Sequence, residues 1–306
     1  QVPKVRFFFL MSLIISMEVS SEWRFSNEKG KKIFCRCWNE DPALKSYSSG
    51  QLRAIVLIVH GFSEHCLLYN ELAEVLVQEG YLVVAHDHVG HGQSEGDRAD
   101  INNFSEYVRD IFQHADIVKK THPKLPFFLI GHSMGGSLSI MAGLEKPDYF
   151  QGTILIGPAI IPDKNTASPF KIFMGKLLAR LFPQLPVVKL DSSAMSRDKA
   201  MVKKYDDDPL VYHSGFKARW GLAFLNALEK IKMELEKVDW PILNLHGEMD
   251  ALCDPEGSKM LQEKAKSKDK QLKLYPEAYH QLHNELPDVK DSVYKEIKTW
   301  LAARAK

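Results

Sequence analysis

The sequence predicts an α/β fold with a mostly parallel, doubly wound sheet. Short runs that are apolar at nearly every position recur along the chain, as expected of central strands that are buried on both faces. These runs alternate with longer segments whose apolar residues recur at helical spacing. Such alternation is typical of βαβ units, which build a parallel sheet. The alternation breaks between residues 158 and 238, where helical and strongly apolar pieces predict an inserted helical lid.

Each element of this fold follows from a local pattern. The first is a hairpin over residues 23–38, centred on a turn signal that ends in Gly30. Strands are predicted at residues 54–59, 81–85, 127–130, 153–156, 241–246 and 272–275. Helices are predicted at residues 68–79, 104–118, 137–144, 258–265 and 289–301. We therefore expect a core made of residues 23–157 and 239–306, and a lid without strands made of residues 158–238.

The composition is that of one globular α/β unit with an insertion. The 306 residues are 45% hydrophobic and 26% charged, which is enough apolar material for a substantial core. The formal net charge of +1 gives no reason to expect a nucleic-acid partner. The four cysteines are too few for a disulfide scaffold and are compatible with a reducing compartment.

Residues 1–22 form an N-terminal extension that allows three interpretations. The stretch from Phe7 to Met17 is apolar and follows Lys4 and Arg6, which resembles a signal-peptide core but is too short to span a bilayer as a helix. A signal peptide, a short membrane anchor and sequence upstream of the mature protein remain open. We favour the last and expect a cytoplasmic protein, because nothing later in the chain indicates secretion.

The most informative stretch is Gly131-His132-Ser133-Met134-Gly135, which follows an apolar run and precedes a helix-compatible run. That context is typical of a nucleophile elbow, in which a serine occupies a strained strand-to-helix turn. Small neighbours are needed there because the backbone passes close to itself, and Gly131 and Gly135 provide the room. A chance Gly-x-Ser-x-Gly is the alternative, but the flanking strand and helix favour the functional interpretation. We therefore predict that Ser133 is a catalytic nucleophile.

A serine hydroxyl needs a base that removes its proton and a carboxylate that orients the base. With an elbow of this kind, the acid and then the histidine follow the serine along the chain, each on a loop after a strand. Asp250 follows the strand at residues 241–246, and His280 follows the strand at residues 272–275. These two residues are the predicted acid and base.

The sequence leaves open alternative residues for both the acid and the base. Asp254 lies on the same loop as Asp250, Glu248 lies on its other side, and His283 lies about one turn from His280. The positions nearest the strand ends favour Asp250 and His280, because active-site residues gather at the carboxyl ends of parallel strands.

Acyl transfer also needs two backbone donors for the oxyanion. The residue after the nucleophile, Met134, supplies one. The loop after the strand at residues 54–59 supplies the other, which we assign to the N–H of Phe62. Because the donor is backbone, the side chain at this position is only weakly constrained.

A competing chemistry is present in a histidine-rich run. His86, His88 and His91 surround Asp87 and partly match the His-x-His-x-Asp-His pattern of metallohydrolases. Gly90 stands where that pattern needs its aspartate, and no convincing second ligand set is found. We therefore predict loop histidines that hydrogen-bond among themselves and to Asp87, and we expect neither a metal nor a cofactor.

With these residues assigned, the chain resembles the monoacylglycerol lipases of the α/β-hydrolase superfamily from about Trp23 to Leu301. The resemblance is carried by residues 85–96, 131–135, 250–254 and 278–283, with further similarity at residues 191–193 and 205–210. It implies the α/β-hydrolase fold and cleavage of monoacylglycerols to a fatty acid and glycerol through an acyl-enzyme. It also implies that Glu64, Tyr205 and His283 line the polar end of the site that receives glycerol.

The chain departs from that family's pattern in one loop. Ser63 and Leu68 stand where the family usually has glycine and arginine, so Glu64 lacks the arginine that would pair with it. Phe62 is also bulkier than the small residue usual at its position and would narrow the pocket. The place of Glu64 in a glycerol pocket is therefore an open question.

One lid segment has the pattern of a helix that touches a membrane. Residues 170–182 place apolar side chains on one helical face, edged by Lys171, Lys176 and Arg180. The apolar set is Phe170, Phe173, Met174, Leu177, Leu178 and Leu181. A helix simply packed on the body of the protein is the alternative. We expect peripheral membrane contact through the lid and no obligate protein partner.

Other functions remain open. A related carboxylesterase or lysophospholipase differs only in the polarity of its head-group pocket. A non-catalytic binding protein with the same fold is a second alternative, because fold alone does not establish activity. A zinc hydrolase is the third. Cys253, close to the predicted acid, makes sensitivity to thiol reagents a further hypothesis.

Overall fold

The computed structural model describes residues 21–40, 51–161 and 169–305. Its strands are β1 (Glu22–Ser26), β2 (Lys32–Cys37), β3 (Ala54–Val59), β4 (Tyr81–His86), β5 (Phe127–His132), β6 (Gly152–Ile156), β7 (Pro186–Val188), β8 (Phe216–Lys217), β9 (Ile242–Gly247) and β10 (Lys270–Tyr275). Its helices are α1 (Asn70–Gln78), α2 (Ser105–Thr121), α3 (Met134–Glu145), α4 (Pro169–Leu181), α5 (Lys199–Asp206), α6 (Ala218–Glu234), α7 (Pro255–Lys264) and α8 (Pro287–Arg304).

Eight of these strands form one sheet in the order β1-β2-β4-β3-β5-β6-β9-β10. The pairs β1–β2 and β2–β4 are antiparallel, whereas every pair from β4 across to β10 is parallel. Helices connect the parallel strands, and the carboxyl ends of those strands meet at one edge of the sheet. This arrangement confirms the fold class that the sequence predicts.

The core lies in two layers, one on each face of the sheet. Every residue of β3, β4, β5, β6 and β9 is buried. Because alternate residues of a strand face opposite sides, Ile55 and Leu57 pack into one layer, and Val56 and Ile58 pack into the other. Helices α2, α3 and α6 contribute to the first layer, and α1 and α8 to the second. This double burial explains the continuous apolar runs of the sequence.

Small differences from the predicted elements have local causes. Helix α1 begins two residues later than predicted, because residues Cys66–Tyr69 form a 3₁₀ turn. Helix α7 begins earlier than predicted, at Pro255, because Asp254 Oδ1 accepts a hydrogen bond from Glu256 N at 2.9 Å and caps the helix. The prediction of an inserted segment without strands is wrong. Strands β7 and β8 pair there, but they are too short to show a periodic pattern.

The segment between β6 and β9 is bound to the core through a buried carboxylate. Asp100, on the loop after β4, accepts hydrogen bonds from Gln184 Nε2 at 2.5 Å and from Arg219 Nε at 2.9 Å. Both donors belong to the inserted segment. The division of the chain into a core and a lid at the predicted boundaries remains our proposal.

The apolar N-terminal stretch, Phe7 to Met17, lies outside the described residues. In the ranges that the structure describes, no helix is long and apolar enough to cross a bilayer. Strand β1 begins at Glu22, so the hairpin starts one residue before the predicted boundary.

Candidate active site

Ser133 occupies the turn between β5 and α3 in the conformation that a nucleophile elbow requires. Its backbone has φ +54° and ψ −119°, in a region that residues other than glycine rarely adopt. A side chain at Gly135 would overlap the carbonyl oxygens of Val59 and His60, and one at Gly131 would overlap the backbone of Gly135. Both positions therefore require glycine, and the packing of Gly135 brings the elbow against the loop after β3.

Asp250 and His280 form a buried pair on the loops that follow β9 and β10. His280 Nδ1 donates a hydrogen bond to Asp250 Oδ2 at 2.7 Å. The other carboxylate oxygen accepts from the backbone N–H groups of Leu252 at 2.8 Å and Cys253 at 2.9 Å. The pair therefore has the geometry in which a carboxylate fixes the tautomer of a catalytic histidine.

The electrostatics of this pair favour two opposite charges. Burial on its own would raise the pKa of Asp250, but the imidazoles of His280 and His246 hold this pKa well below its ordinary value. Burial on its own would lower the pKa of His280, but the carboxylate of Asp250 raises this pKa above the ordinary value of 6.5. His280 is thus prepared to accept a proton.

The serine and the histidine lie at the same edge of the sheet without a hydrogen bond between them. In the described part of the chain, the one side-chain hydrogen-bond partner of the Ser133 hydroxyl is Cys253 Sγ at 3.8 Å. The ring of His132, adjacent to the serine, packs on the ring of His280 at 4.7 Å between centroids. Catalytic hydrogen bonds are often formed only when substrate is bound, so this geometry is compatible with a triad.

The three alternative residues for the acid and the base lie in positions that do not suit these roles. Asp254 caps α7, as described above, and Glu248 is exposed. His283 is buried, and its ring stacks on Tyr69 at 4.9 Å. Burial lowers the pKa of His283 to about 3, so it remains neutral at working pH. The geometry favours Asp250 and His280.

The two predicted oxyanion donors are on adjoining segments. Within the described residues, the backbone N–H groups of Phe62 and Met134 have no hydrogen-bond partner. Phe62 is buried, and its ring packs on Trp220 of the lid at 4.2 Å between centroids and on Phe216 at 6.0 Å. The bulky side chain therefore joins an aromatic contact between core and lid.

Glu64 connects the oxyanion loop, the elbow and the histidine loop. Its carboxylate accepts hydrogen bonds from Gly61 N at 2.8 Å, from Tyr69 Oη at 2.5 Å and from Gln281 Nε2 at 2.7 Å. His132 Nδ1 lies 3.2 Å from the same carboxylate. Burial alone would raise the pKa of Glu64, but the imidazole of His132, the Tyr69 hydroxyl and the nearby His283 hold this pKa well below its ordinary value, so the group is ionised. Other donors thus replace the arginine that the sequence lacks.

The predicted glycerol residues lie close together but are buried. Glu64 and His283 are 3% and 1% exposed, and Tyr205 packs with Met195 and Val211 of the lid. Burial raises the pKa of the Tyr205 hydroxyl, so it remains protonated. Among the described residues, no group hydrogen-bonds to the buried nitrogen His283 Nδ1.

The histidine-rich run belongs to a larger buried group, which we call the histidine cluster. It consists of His60, His86, His88, His91 and His114. Its members contact one another as predicted, but Asp87 instead accepts from the backbone N–H groups of Cys66 and Gln93, both at 2.7 Å. Among the residues described, no group of three or more His, Cys, Asp or Glu side chains is arranged to hold a metal ion.

Cys253 is buried beside the serine. Burial, together with the nearby charge of Asp250, raises the pKa of its thiol well above the ordinary value. A thiol in this state is a poor nucleophile, which argues against high reactivity toward thiol reagents.

Two positions of this site are not evident in the sequence pattern. His132, inside the elbow, contacts Glu64, and His246, at the end of β9, contacts Asp250 Oδ2 at 3.1 Å. The one indication in the sequence is that each lies at the carboxyl end of a strand, close to a predicted catalytic residue. Their carboxylate partners are distant in sequence or across a turn, so spacing alone does not identify them.

Comparisons with known proteins agree with this geometry. A family profile described as "Serine aminopeptidase, S33" matches residues 50–287. The chain is 44% identical to a monoglyceride lipase of Rattus norvegicus over 91% of its length and 89% of the relative. It is 33% identical to a monoacylglycerol lipase of Mycolicibacterium smegmatis over 92% of its length and 97% of the relative.

Solved structures give the same result. The monoacylglycerol lipase of Paleococcus ferrophilus superposes with a TM-score of 0.77 at 30% identity, covering 89% of this chain and 99% of that one. A monoglyceride lipase variant of Saccharomyces cerevisiae in complex with a substrate analog superposes with a TM-score of 0.81 at 25% identity, covering 93% and 95%. The chain therefore belongs to the monoglyceride lipase family of serine hydrolases with the α/β-hydrolase fold.

Proposed function

We propose that this protein is a carboxylic-ester hydrolase that cleaves monoacylglycerols to a free fatty acid and glycerol. The observation that carries the proposal is the buried Asp250–His280 pair, joined at 2.7 Å, beside a serine in a strained elbow. Membership of the monoglyceride lipase family gives the substrate class. The reaction invokes no cofactor, metal or protein partner.

Each step of the reaction has a residue to perform it. Ser133 attacks the ester carbonyl while His280 accepts its proton, and His280 then returns that proton to the leaving glycerol. Asp250 holds the imidazole in the required tautomer and stabilises its charged form. The N–H groups of Phe62 and Met134 stabilise the oxyanion. Water activated by His280 then hydrolyses the acyl-enzyme, which releases the fatty acid.

The glycerol end of the site is proposed near Glu64, Tyr205 and His283. Support comes from two buried nitrogens, His132 Nε2 and His283 Nδ1, which have no hydrogen-bond partner among the described residues. Buried polar groups normally have a partner, so hydroxyl groups of a bound glycerol would complete these contacts. Glu64 would act by holding the surrounding loops rather than by exposing its carboxylate.

Substrate comparison tests this assignment. The purified protein is expected to hydrolyse a micellar monoacylglycerol with a kcat/KM at least about tenfold above that for a lysophospholipid of the same acyl chain, because the ionised carboxylate of Glu64 at the proposed glycerol end disfavours a phosphate charge. A preference for the lysophospholipid would favour the lysophospholipase alternative. Binding without hydrolysis of either substrate would favour the non-catalytic binding protein.

We also propose a cytoplasmic enzyme whose lid contacts membranes. At the end of α4 and in β7 the lid exposes large apolar side chains, including Leu181 at 58% and Phe182 at 61%. Lys176 and Arg180 are exposed on the same helix, which suits an anionic lipid surface. The side chains of Phe170, Phe173 and Met174, part of the predicted apolar face, lie outside the described residues.

Vesicle binding tests the lid proposal. The double substitution Leu181→Ser and Phe182→Ser is expected to lower binding to vesicles of phosphatidylcholine and phosphatidylserine at least about fivefold, because both side chains lose their apolar surface. Met233→Ser is the control, since Met233 is 76% exposed but lies on α6. Equal binding by the double variant and the control would contradict membrane contact through this surface.

A further inference from the structure

Asp250 is in contact with two imidazoles. Its Oδ2 atom lies 2.7 Å from His280 Nδ1 and 3.1 Å from His246 Nε2. His246 is fully buried near the end of β9. Its other nitrogen, Nδ1, lies 2.6 Å from the hydroxyl of Ser258 on α7, which is also fully buried. The catalytic acid is therefore held from the sheet side as well as from the histidine loop.

The protons of this group can be placed from its hydrogen-bond partners. His246 Nε2 carries a proton, because its hydrogen-bond partner is the carbonyl of Cys253 at 3.0 Å and its other close neighbour, Asp250 Oδ2 at 3.1 Å, is also an acceptor. The side chain of Asn244 lies 3.2 Å from Ser258 Oγ. It is Asn244 Oδ1 that faces this hydroxyl, and Asn244 Nδ2 has no hydrogen-bond partner among the described residues. When the two amide atoms are exchanged, the amide donates to the hydroxyl and the hydroxyl donates to His246 Nδ1.

We propose that His246 is a positioning residue of the catalytic site, whose Nε2 proton is shared between the Cys253 carbonyl and Asp250 Oδ2 and keeps that oxygen aligned with His280. This inference rests on the proposed hydrolase function. The backbone N–H groups of Leu252 and Cys253 hold Oδ1, and His246 holds Oδ2, so the carboxylate is fixed at both oxygens. The second imidazole also draws negative charge away from His280, which keeps the base from binding its proton too tightly.

The direction of the pH effect follows from the charged and titratable groups around the pair. His280 faces Asp250, Glu64, His132 and His283, and Asp250 also faces His246 and Cys253. Removing the donor of His246 leaves more negative charge on Asp250, and this charge favours protonated His280. The acid limb of the kcat/KM profile should then move to higher pH, a change that a purely structural residue would not produce.

Two polar substitutions separate these roles. His246→Gln can place an amide N–H close to the position of Nε2, whereas His246→Asn reaches only the position of Nδ1. On a soluble p-nitrophenyl ester, with active sites titrated, we expect His246→Asn to lose 10- to 100-fold in kcat with little change in KM and to shift the acid limb upward by about 0.5–1 pH unit. His246→Gln should retain activity within about threefold of the wild type.

Equal behaviour of the two variants, whether both active or both impaired without a shift of the acid limb, would overturn the proposal. An inactive wild-type protein would instead overturn the proposed function. A measurement on the wild type avoids dependence on how the variants fold. In ¹⁵N-histidine NMR spectra we expect a proton on His246 Nε2, and a proton on Nδ1 alone would also overturn the proposal.

Discussion

Two buried groups of histidines lie near the same edge of the sheet, and they differ in their partners. In the candidate active site, His280 and His246 contact the carboxylate of Asp250, and His132 contacts that of Glu64. In the histidine cluster, imidazoles contact one another and backbone groups. His86 Nδ1, for example, lies 3.0 Å from an imidazole nitrogen of His114. Among the residues that the structure describes, only the first group has a carboxylate within hydrogen-bond distance of its rings.

This difference reverses the effect of burial on proton binding. Asp250 raises the pKa of His280 despite complete burial. In the cluster, burial lowers the pKa of His91 to about 4 and of His114 to about 3. The cluster histidines therefore remain neutral and inert, whereas His280 can take up a proton. A high density of histidines is thus a weaker indication of chemistry than one histidine paired with a buried carboxylate.

Ser133→Ala should have the largest effect on activity. Removing the nucleophile is expected to lower kcat for monoacylglycerol by about 10⁴-fold or more, with little change in the free energy of unfolding. Ser139→Ala is the matched control, because Ser139 is a buried serine of α3 whose hydroxyl donates to Gly135 O rather than to the site. Activity retained by Ser133→Ala in a fatty-acid release assay would remove Ser133 from its role.

Replacing the acid should be almost as damaging. Asp250→Asn is expected to lower kcat by about 10⁴-fold, because an amide no longer fixes the tautomer of His280 or stabilises its charge. Asp254→Asn should change kcat less than threefold, because asparagine caps a helix about as well as aspartate does. Steady-state kinetics of both variants measure the contrast. A large loss of kcat in Asp254→Asn with little change in Asp250→Asn would identify Asp254 as the catalytic acid instead.

Glu64→Gln tests the second carboxylate of the active-site group. An amide cannot accept all the donors around Glu64, so we expect kcat to fall about 10- to 100-fold and the free energy of unfolding to fall by about 2–4 kcal/mol. Glu71→Gln is the control, because Glu71 is exposed and pairs with Lys290 at the surface. Urea denaturation and kinetics check both variants. Equal effects would show that Glu64 has no special role in joining the loops.

His114→Phe tests the cluster through the pH dependence of stability. The folded pKa of about 3 lies below the ordinary value of 6.5, so the unfolded chain binds a proton that the folded chain does not. This contribution to stability is present above pH 6.5 and is lost as pH falls toward 3. Between pH 8 and pH 5 it amounts to about 2 kcal/mol. Over this interval, the free energy of unfolding of the variant should fall by about 2 kcal/mol less than that of the wild type, as measured by urea denaturation. An unchanged pH dependence would contradict neutral burial of His114.

The sheet, the elbow and the Asp250–His280 pair could be predicted because their signals are local. Apolar runs indicate buried strands, and the ends of those strands identify loops that meet at one edge. The Glu64 connections could not be predicted in the same way, since Glu64 and Gln281 are 217 positions apart and no spacing rule joins them. The hydrogen bonds between Asp100 and the lid could not be predicted for the same reason, because Gln184 and Arg219 are distant from Asp100 in the sequence. Strands β7 and β8 were not predicted, because they are too short to show a regular alternation of apolar and polar residues.

The pairing of Ser133 with His280 can be tested most directly by the rate at which a fluorophosphonate probe labels the protein as a function of pH. Mass spectrometry then maps the modified peptide. We expect modification of Ser133 at a rate that falls as pH is lowered through an apparent pKa above 6.5, because Asp250 raises the pKa of His280. Labelling of Asp250→Asn should be at least about a hundredfold slower. Modification at another residue, or an acid limb near pH 3–4 as expected of the histidine cluster, would contradict the pairing of Ser133 with His280.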